Sequence, residues 1–271
     1  MNKILVIGST GKQGSAVVKQ LVEEGFHVRA FTRDRKKIKI DHAALEIYEG
    51  QLSSYNDLLQ AMAKQDGVYS LQPILEDVEE EVRQGKMIIQ AAKEQAVQHF
   101  VCSTAGGVNR NRASPHFAAL AEIENVLKSS GLNHTIIQPS FFMDNFKRIV
   151  DVTGNTIKIP EFINPDVKFS MISSIDIAGV VAEVFNNPIQ YNEQVLEIAA
   201  DELTLKEVVE TFSSVFDRAA VIEGSFNSAT AERAWLEEKG YIIDFNQMDL
   251  LIQNRLTLEK WLTAEFEDNC L

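Results

Sequence analysis

The sequence predicts an α/β fold, a doubly wound parallel sheet followed by a smaller C-terminal α+β lobe. Three observations predict it: short apolar runs alternate with helical patterns, the apolar residues within each run are consecutive, and the alternation fades after Pro139. Consecutive apolar residues are typical of strands that are covered on both faces. Repeated β-α-β units of this kind form a parallel sheet through right-handed crossovers.

Six apolar runs predict the strands of the first half, and three helical patterns lie between them. The strands are residues 4–7, 28–31, 45–48, 68–71, 100–102 and 135–137, and the helices are residues 15–24, 77–95 and 116–130. Gly25 follows the first helix as a C-terminal cap, and Gly131 ends the third. Gly85 lies in the apolar stripe of the second helix, where it allows close packing. After Pro139, extended pieces separate helices that we predict at residues 175–185, 205–216, 230–239 and 258–266.

Composition and charge restrict the classes of partner. The chain has 271 residues and a net charge of −13, which argues against nucleic acid and against an anionic membrane surface. No run approaches the ~20 apolar residues of a membrane span, and the start of the chain lacks the apolar region of a signal peptide. Cys102 and Cys270 form no Cys-x-x-Cys pair, a usage that fits a reducing compartment. We therefore expect a cytoplasmic protein without a metal site.

The strongest signal for function lies between the first strand and the first helix, in the segment Gly8, Ser9, Thr10, Gly11, Lys12, Gln13 and Gly14. Glycines at positions 8 and 11 let the backbone turn sharply and approach a diphosphate, and Gly14 lets the helix pack close to the strand. Free N–H groups at the helix start then face the phosphates, and the helix dipole attracts them. The segment therefore predicts a Rossmann-type dinucleotide-binding turn; the alternative is a structural turn in a fold that has lost its ligand.

The residues after the second strand select the dinucleotide. Arg33 is placed to bind the 2′-phosphate of NADP(H), since a guanidinium holds a phosphate through two hydrogen bonds, and Lys37 adds positive charge. Asp34 offers a rival interpretation, because NAD sites place an acidic residue here to accept from the ribose 2′-hydroxyl. The local basic excess favours NADP(H), with NAD(H) as the less favoured alternative.

Further segments carry a family resemblance along nearly the full length. Besides the glycine turn, they are residues 28–34, 81–86, 115–117, 121–124, 130–132, 139–145 and 256–262. In their order and spacing the chain resembles the NmrA-like group of atypical short-chain dehydrogenase/reductases. The resemblance implies a Rossmann domain with a small C-terminal lobe, a preference for NADP(H), and members divided between redox sensors and reductases. We accordingly assign residues 1–150 to the NADP-binding domain and residues 151–271 to the lobe; the resemblance also allows residues 175–199 to return to the first domain.

The catalytic pair of ordinary short-chain dehydrogenases is missing. Their mechanism uses Tyr-x-x-x-Lys, and none of the five tyrosines here has a lysine four residues on. The resemblance implies a lysine where this chain has Leu120, whose spacing from Phe117 and Leu127 is typical of core. We therefore expect NADP(H) binding without appreciable turnover of simple aldehydes or ketones.

Three polar residues are weak candidates for catalysis. Ser103 and Thr104 follow the fifth strand, where the resemblance implies a serine, although a polar strand terminus explains them equally well. Ser103 is also a candidate cofactor contact. His116 has the chemistry to donate a proton, but capping the start of its helix is the preferred interpretation.

Three more residues are candidate cofactor contacts. Gln72 and Pro73 end the fourth strand, where we expect them beside the nicotinamide ribose. Phe142 is a candidate to flank the nicotinamide, with core packing as the competing interpretation.

Three functions remain open at this point. The missing Tyr/Lys pair favours an NADP(H)-binding redox sensor or regulatory protein. The alternatives are an NAD(P)H-dependent reductase of quinones or similar small molecules and a scaffold with a vestigial fold. The expected partners are the dinucleotide and either a small-molecule substrate or a protein.

Overall fold

The computed structural model describes residues 1–111, 114–225, 230–238 and 240–266. The chain forms two compact units. The first contains Met1–Gln138 and Ile177–Leu196, and the second contains Pro139–Asp176 and Glu197–Leu271.

The helices and strands of the described residues follow one another in this order. They are β1 (Lys3–Ile7), α1 (Lys12–Glu23), β2 (His27–Thr32), β3 (Leu45–Glu49), α2 (Tyr55–Met62), β4 (Gly67–Leu71), α3 (Val78–Glu94), β5 (His99–Ser103), α4 (Pro115–Lys128), β6 (His134–Pro139), β7 (Phe141–Phe142), α5 (Phe146–Ile149), β8 (Ile157–Glu161), β9 (Lys168–Ile172), α6 (Ser174–Asn186), β10 (Gln194–Ile198), β11 (Asp201–Thr204), α7 (Leu205–Phe216), β12 (Ala220–Ser225), α8 (Thr230–Glu238), α9 (Phe245–Leu251) and α10 (Leu258–Phe266).

A seven-stranded parallel sheet confirms the predicted fold class. Its strand order is β10-β6-β5-β4-β1-β2-β3, so β1 lies beside both β4 and β2. The order reverses at β1, which is the switch point at which open α/β sheets bind ligands. All six predicted strands of the first half are confirmed. Only β3, which lies at the edge of the sheet, departs from the expected burial on both faces.

The glycines that were predicted to end or pack helices do so. Gly25 and Gly131 have φ of +88° and +80°, the left-handed conformation that closes a helix. A Cβ at Gly85 would lie 2.7 Å from Ile123, so a side chain there would force α3 away from α4. Helix α2 was not predicted, because it is only two turns long; Ser54 caps it by accepting from the N–H of Asp57.

The second unit contains two small sheets, with strand orders β11-β9-β7 and β12-β8. Its core is aromatic: Phe141 packs against Phe146, Phe162 and Phe169 at ring-centroid distances of 5.3–5.6 Å. The unit begins at Pro139 and not at the predicted boundary at residue 150, because Phe141 and Phe142 pair with β9 as strand β7. Within the described residues, no helix has the length and apolar character needed to cross a bilayer.

A buried histidine at the start of β5, His99, makes folding dependent on pH. Burial, together with the neighbouring His134, lowers the pKa of His99 to about 4. Nε2 of His99 lies 2.8 Å from Oγ1 of Thr135, whose hydroxyl donates to the carbonyl oxygen of Tyr191. Because that hydroxyl proton is already committed, Nε2 of His99 must be the donor, and His99 folds as a neutral imidazole.

We expect the chain to lose stability as the pH falls below about 6.5, the pKa of an unfolded histidine. A depressed folded pKa means that the unfolded state binds the proton more tightly, so stability is complete above the unfolded pKa and declines toward the folded one. Between pH 7.5 and 5 the loss attributable to His99 is roughly 2 kcal/mol. Urea denaturation across this range measures it, and His99→Gln, which keeps a donor toward Thr135, should flatten the dependence.

The measured quantity is the difference between the parent chain and the variant. Asp176 titrates in the same range with the opposite sign, because burial raises its pKa to about 6. The contribution of Asp176 to the free energy of unfolding is the same in the parent chain and in His99→Gln, so it cancels when the two are compared at each pH. An equal slope in both proteins would contradict the role of His99.

Candidate dinucleotide-binding site

The glycine turn joins β1 to α1 at the carboxyl edge of the sheet. Gly8 has φ of +82°, and the N–H of Gly11 donates to its carbonyl oxygen at 3.1 Å. A Cβ at Gly14 would lie 2.1 Å from the carbonyl oxygen of Gly8, and one at Gly8 would lie 2.6 Å from that of Leu71. The fold itself therefore requires glycine at positions 8 and 14, since no side chain fits there.

Gly11 differs from the other two glycines. Its φ is −79°, which any residue adopts, and a Cβ there would meet its nearest neighbour, the carbonyl oxygen of Gly8, at 3.5 Å. No side chain of the described residues caps α1 at Gly11, and the first turn of α1 contains no acidic residue. The first-turn N–H groups are therefore available to an anion, with the positive end of the helix dipole behind them. The absence of a side chain at Gly11 has no packing reason in the fold, but it leaves space for a ligand.

Other side chains of the turn divide between solvent and interior. Thr10 and Lys12 are exposed, whereas Ser9 is buried and its hydroxyl donates to the carbonyl oxygen of Phe31 at 2.7 Å. That bond attaches the turn to the end of β2. The amide of Gln13 is also buried; it donates to Oη of Tyr69 and to Oγ of Ser103, both at 2.7 Å.

Gln13, Tyr69 and Ser103 form one buried polar cluster beneath the turn. It was not predicted, because these residues lie on α1, β4 and β5, far apart in the sequence. Burial raises the pKa of Tyr69, which keeps its hydroxyl protonated. The side chains of Gln13 and Ser103 are thus committed to protein contacts that hold the turn on the sheet.

Arg33 extends from the end of β2 with a free cationic head. It is exposed, and its guanidinium forms no hydrogen bond or ion pair with any residue that the structure describes. Asp34, by contrast, accepts through Oδ1 from the N–H of Lys36 at 3.0 Å and so caps the short 3₁₀ turn Arg35–Lys37. The rival acidic residue has a local structural role, while the basic residue has none. Lys37 lies exposed on the same turn.

The loop after β4 is attached to α3. The Nε2 group of Gln72 donates to the carbonyl oxygen of Glu81 at 3.1 Å, and the N–H of Leu75 donates to the carboxylate of Glu81 at the same distance. Pro73 is exposed beside them. Gln72 and Pro73 therefore follow the end of β4 at the carboxyl edge of the sheet, and their contact with a nicotinamide ribose stays a prediction.

Thr104 contacts a buried acid rather than the glycine turn. Its hydroxyl donates to Oε1 of Glu124 at 2.7 Å, and Glu124 is fully buried in α4. Asn109 and Gln138 also donate to this carboxylate, at 3.1 and 2.7 Å, and Lys128 pairs with it at 3.2 Å. Glu124 thereby joins the loop after β5 to α4 and β6.

His116 does not cap its helix, so the preferred interpretation of this residue was wrong. The N-cap of α4 is Ser114, Pro115 follows it, and His116 lies one residue further into the first turn. Its Nδ1 is 2.8 Å from Oε1 of Glu81, a carboxylate with no exposed area. A buried carboxylate requires hydrogen-bonding partners, and His116 on α4 supplies one to α3.

Leu120 and Phe142 lie in different units. Leu120 is buried with Val108 and Ala121, as expected of a core residue. Phe142 is half-buried on β7 of the second unit, and its neighbour Phe141 is part of the aromatic core there. Among the described residues, no group of three or more His, Cys, Asp or Glu side chains is placed to hold a metal ion.

The seven-stranded sheet and the glycine turn at its switch point define a Rossmann-type fold of the dinucleotide-binding class. The chain belongs to the NmrA-like family, whose model matches residues 1–248.

Individual relatives include enzymes and a regulator. The chain is 29% identical over 218 residues to the NAD(P)H azoreductase of Xenophilus azovorans, a match that covers 79% of this chain and 74% of that protein. It has the fold of NmrA, a negative transcriptional regulator solved in complex with NADP, with a TM-score of 0.80, 16% identity, and coverage of 100% of this chain and 98% of that one. It also has the fold of an NADPH-dependent quinone oxidoreductase from Escherichia coli complexed with NADPH, with a TM-score of 0.79, 16% identity, and coverage of 98% and 100%.

Proposed function

We propose that the chain binds NADP(H) at the glycine turn and uses it to reduce electron-poor conjugated acceptors, such as azo compounds or quinones. The observation that carries the binding is Gly11, which lacks a side chain that the fold would accommodate. Empty space beside an uncapped helix start with no acidic residue fits a dinucleotide diphosphate. In the proposed complex, the first-turn N–H groups of α1 hold the diphosphate.

In this proposal, Arg33 determines the preference for NADP(H) over NAD(H). Its unpaired, exposed guanidinium is suited to a phosphate, and Asp34 is occupied in capping a turn. NADP(H)-bound neighbours in the same fold support this preference. NAD(H) remains a weaker second cofactor, because the diphosphate contacts do not depend on Arg33.

We expect Arg33→Ala to weaken NADPH binding by about 1.5–3 kcal/mol, the scale of a charged hydrogen-bonded contact. NADH, which lacks the 2′-phosphate, should bind the variant almost as it binds the parent chain. Isothermal titration calorimetry with both cofactors measures the two affinities.

Lys39→Ala is the matched control, since it removes one exposed positive charge from the same segment without removing the proposed contact. It should change the NADPH affinity by much less than Arg33→Ala does. Equal losses for NADPH and NADH in Arg33→Ala, or tighter NADH binding by the parent chain, would refute the preference.

Two observations support this class of acceptor: the missing Tyr/Lys pair and the acceptors that similar proteins reduce. Tyr-x-x-x-Lys is absent from the sequence, and Leu120 lies in an apolar cluster. Hydride transfer to a conjugated acceptor needs less acid from the protein than carbonyl reduction does. The azoreductase relative and the quinone oxidoreductase neighbour act on acceptors of this kind.

A regulatory function is the second candidate. It is supported by the missing Tyr/Lys pair and by NmrA, a transcriptional regulator with the same fold. Such a protein would bind NADP(H) as a redox signal and pass it to a protein partner.

Steady-state oxidation of NADPH distinguishes the two candidates. The parent chain should oxidise NADPH with azo dyes and quinones, and its turnover of simple aldehydes and ketones should be slow or undetectable. NADPH binding without oxidation by any acceptor would reject the reductase and favour the regulator. Fast reduction of simple carbonyl compounds would contradict the proposed acceptor class.

A further inference from the structure

A buried acid–imidazole pair joins α3 to α4 in the first unit. Oε1 of Glu81 lies 2.8 Å from Nδ1 of His116; the carboxylate is completely buried, and the imidazole is 23% exposed. The family resemblance and the fold assign no role to this pair. The pair is not a purely internal contact, because the imidazole of His116 reaches solvent.

A continuous series of contacts connects this pair to the glycine turn. Leu71, the last residue of β4, lies against Gly8, so closely that no Cβ fits between them. The next residue, Gln72, donates to the carbonyl oxygen of Glu81, and Leu75 donates to its carboxylate. The pair therefore lies at the carboxyl edge beside β4, on the same edge as the turn.

The hydrogen bonds of the pair leave one nitrogen available. An ionised carboxylate only accepts, so Nδ1 of His116 is the donor toward Glu81. The second ring nitrogen, Nε2, has no partner among the residues that the structure describes. Glu81 is itself held by the N–H of Leu75, so the ring is oriented by a fixed acceptor. This is the arrangement in which an acid orients an imidazole for proton transfer at its other nitrogen.

We propose that Nε2 of His116 donates the proton to the acceptor during reduction, and that Glu81 is the positioning residue; this inference rests on the proposed function. Bound NADPH supplies a hydride to one nitrogen of an azo group. The Nε2–H bond of the imidazolium breaks, a new N–H bond forms at the other azo nitrogen, and the N=N double bond becomes the single bond of a hydrazine. The ring is then neutral. It keeps the proton on Nδ1, which stays hydrogen-bonded to Glu81, and Nε2 regains a proton from water.

Two kinds of acceptor separate proton donation from hydride transfer. An azo dye or a benzoquinone needs a hydride and a proton, whereas a triarylmethyl cation becomes a neutral triarylmethane by accepting a hydride alone. His116→Gln should lower kcat for the azo dye and the quinone by about 10²-fold, the lower end of the contribution of a general acid, because these acceptors need less acid than carbonyl compounds do. It should change kcat for the triarylmethyl cation by less than about threefold, and leave the Kd of NADPH unchanged.

His27→Gln is the matched control, because His27 is exposed at the opposite, amino end of β2. It should behave as the parent chain does with every acceptor. Glu81→Gln keeps an acceptor for Nδ1 but removes the charge, so it should lower kcat for the azo dye while KM stays nearly constant. Because Glu81 is buried, its variant is interpreted only if it unfolds cooperatively.

A second readout does not require turnover. In the complex with NADP⁺, which cannot donate a hydride, methyl red should shift the imidazole ¹⁵N resonance of His116, identified by its loss in His116→Gln. The resonance of His27 should stay in place. An unchanged His116 resonance would contradict the proposed contact between His116 and the acceptor.

The outcomes also separate this inference from the proposed function. A parent chain that reduces no acceptor overturns the proposed function and this role with it. A parent chain that reduces all three acceptors, with His116→Gln slowing them equally or not at all, overturns the role of His116 alone.

Discussion

Gly11→Val should abolish NADPH binding, with an affinity loss of at least about 100-fold, while the chain keeps a cooperative thermal transition. The branched side chain would fill the space that we assign to the diphosphate, and a clash with a ligand in a rigid turn cannot be relieved cheaply. The protein itself tolerates it, because the backbone at Gly11 is extended and the nearest atom to a Cβ is 3.5 Å away. Weaker N-capping costs up to about 1 kcal/mol. Calorimetry with NADPH and a thermal scan measure the two effects.

Gly14→Ala is the contrasting variant on the same turn. Its Cβ would lie 2.1 Å from the carbonyl oxygen of Gly8, so we expect a loss of stability of roughly 1–3 kcal/mol or more before any ligand is added. Position 11 should therefore affect binding and position 14 should affect folding. If Gly11→Val binds NADPH normally, the cofactor has been assigned to the wrong place.

The central sheet could be predicted because its strands are buried on both faces. A run such as Ile4, Leu5, Val6 and Ile7 has no exposed position, so its consecutive apolar residues identify it. The three glycines of the turn could be located because their segment begins directly after β1 and leads into α1. The sequence assigned Gly14 to packing but gave Gly8 and Gly11 the same role; only the surrounding atoms show that Gly8 also serves the fold and that Gly11 does not.

The polar contacts of the site could not be predicted, because they join residues that are distant along the chain. Gln13 was expected at the phosphates, yet its amide is bonded to Ser103, 90 residues away. His116 was expected to cap α4, because a polar residue at a helix start usually acts locally. Its partner Glu81 is 35 residues away on another helix. Glu81 lies three residues after Val78 and four before Gly85, on the apolar face of α3, so the helical pattern indicates its burial but not its partner.

Three strands of the second unit, β7, β11 and β12, escaped prediction for a different reason. β11 and β12 are only half-buried or exposed along their length, so they lack the apolar runs of the central sheet. β7 is two residues long and is held by pairing with β9. Such short strands depend on their partners, which a local pattern does not contain.

The second large effect concerns Glu124, the buried carboxylate of α4. Glu124→Ala should lower the free energy of unfolding by roughly 2–5 kcal/mol, because two buried donors lose their acceptor at about 1–3 kcal/mol each. Thr104 and Gln138 are buried and would lose their acceptor together, and an unsatisfied buried donor is costly. Urea denaturation at neutral pH measures the change.

Glu122→Ala is the matched control, because Glu122 is on the same helix two residues earlier and its side chain is 52% exposed and paired with Lys86 at the surface. Surface ion pairs contribute about 0–1 kcal/mol, so this variant should stay close to the parent chain. The contrast isolates burial from charge and from helix propensity, since both variants replace a glutamate of α4 by alanine. Similar losses in the two variants would show that Glu124 is no more important to the fold than a solvent-exposed acid, and that the loop carrying Thr104 and Asn109 is held to α4 by other contacts.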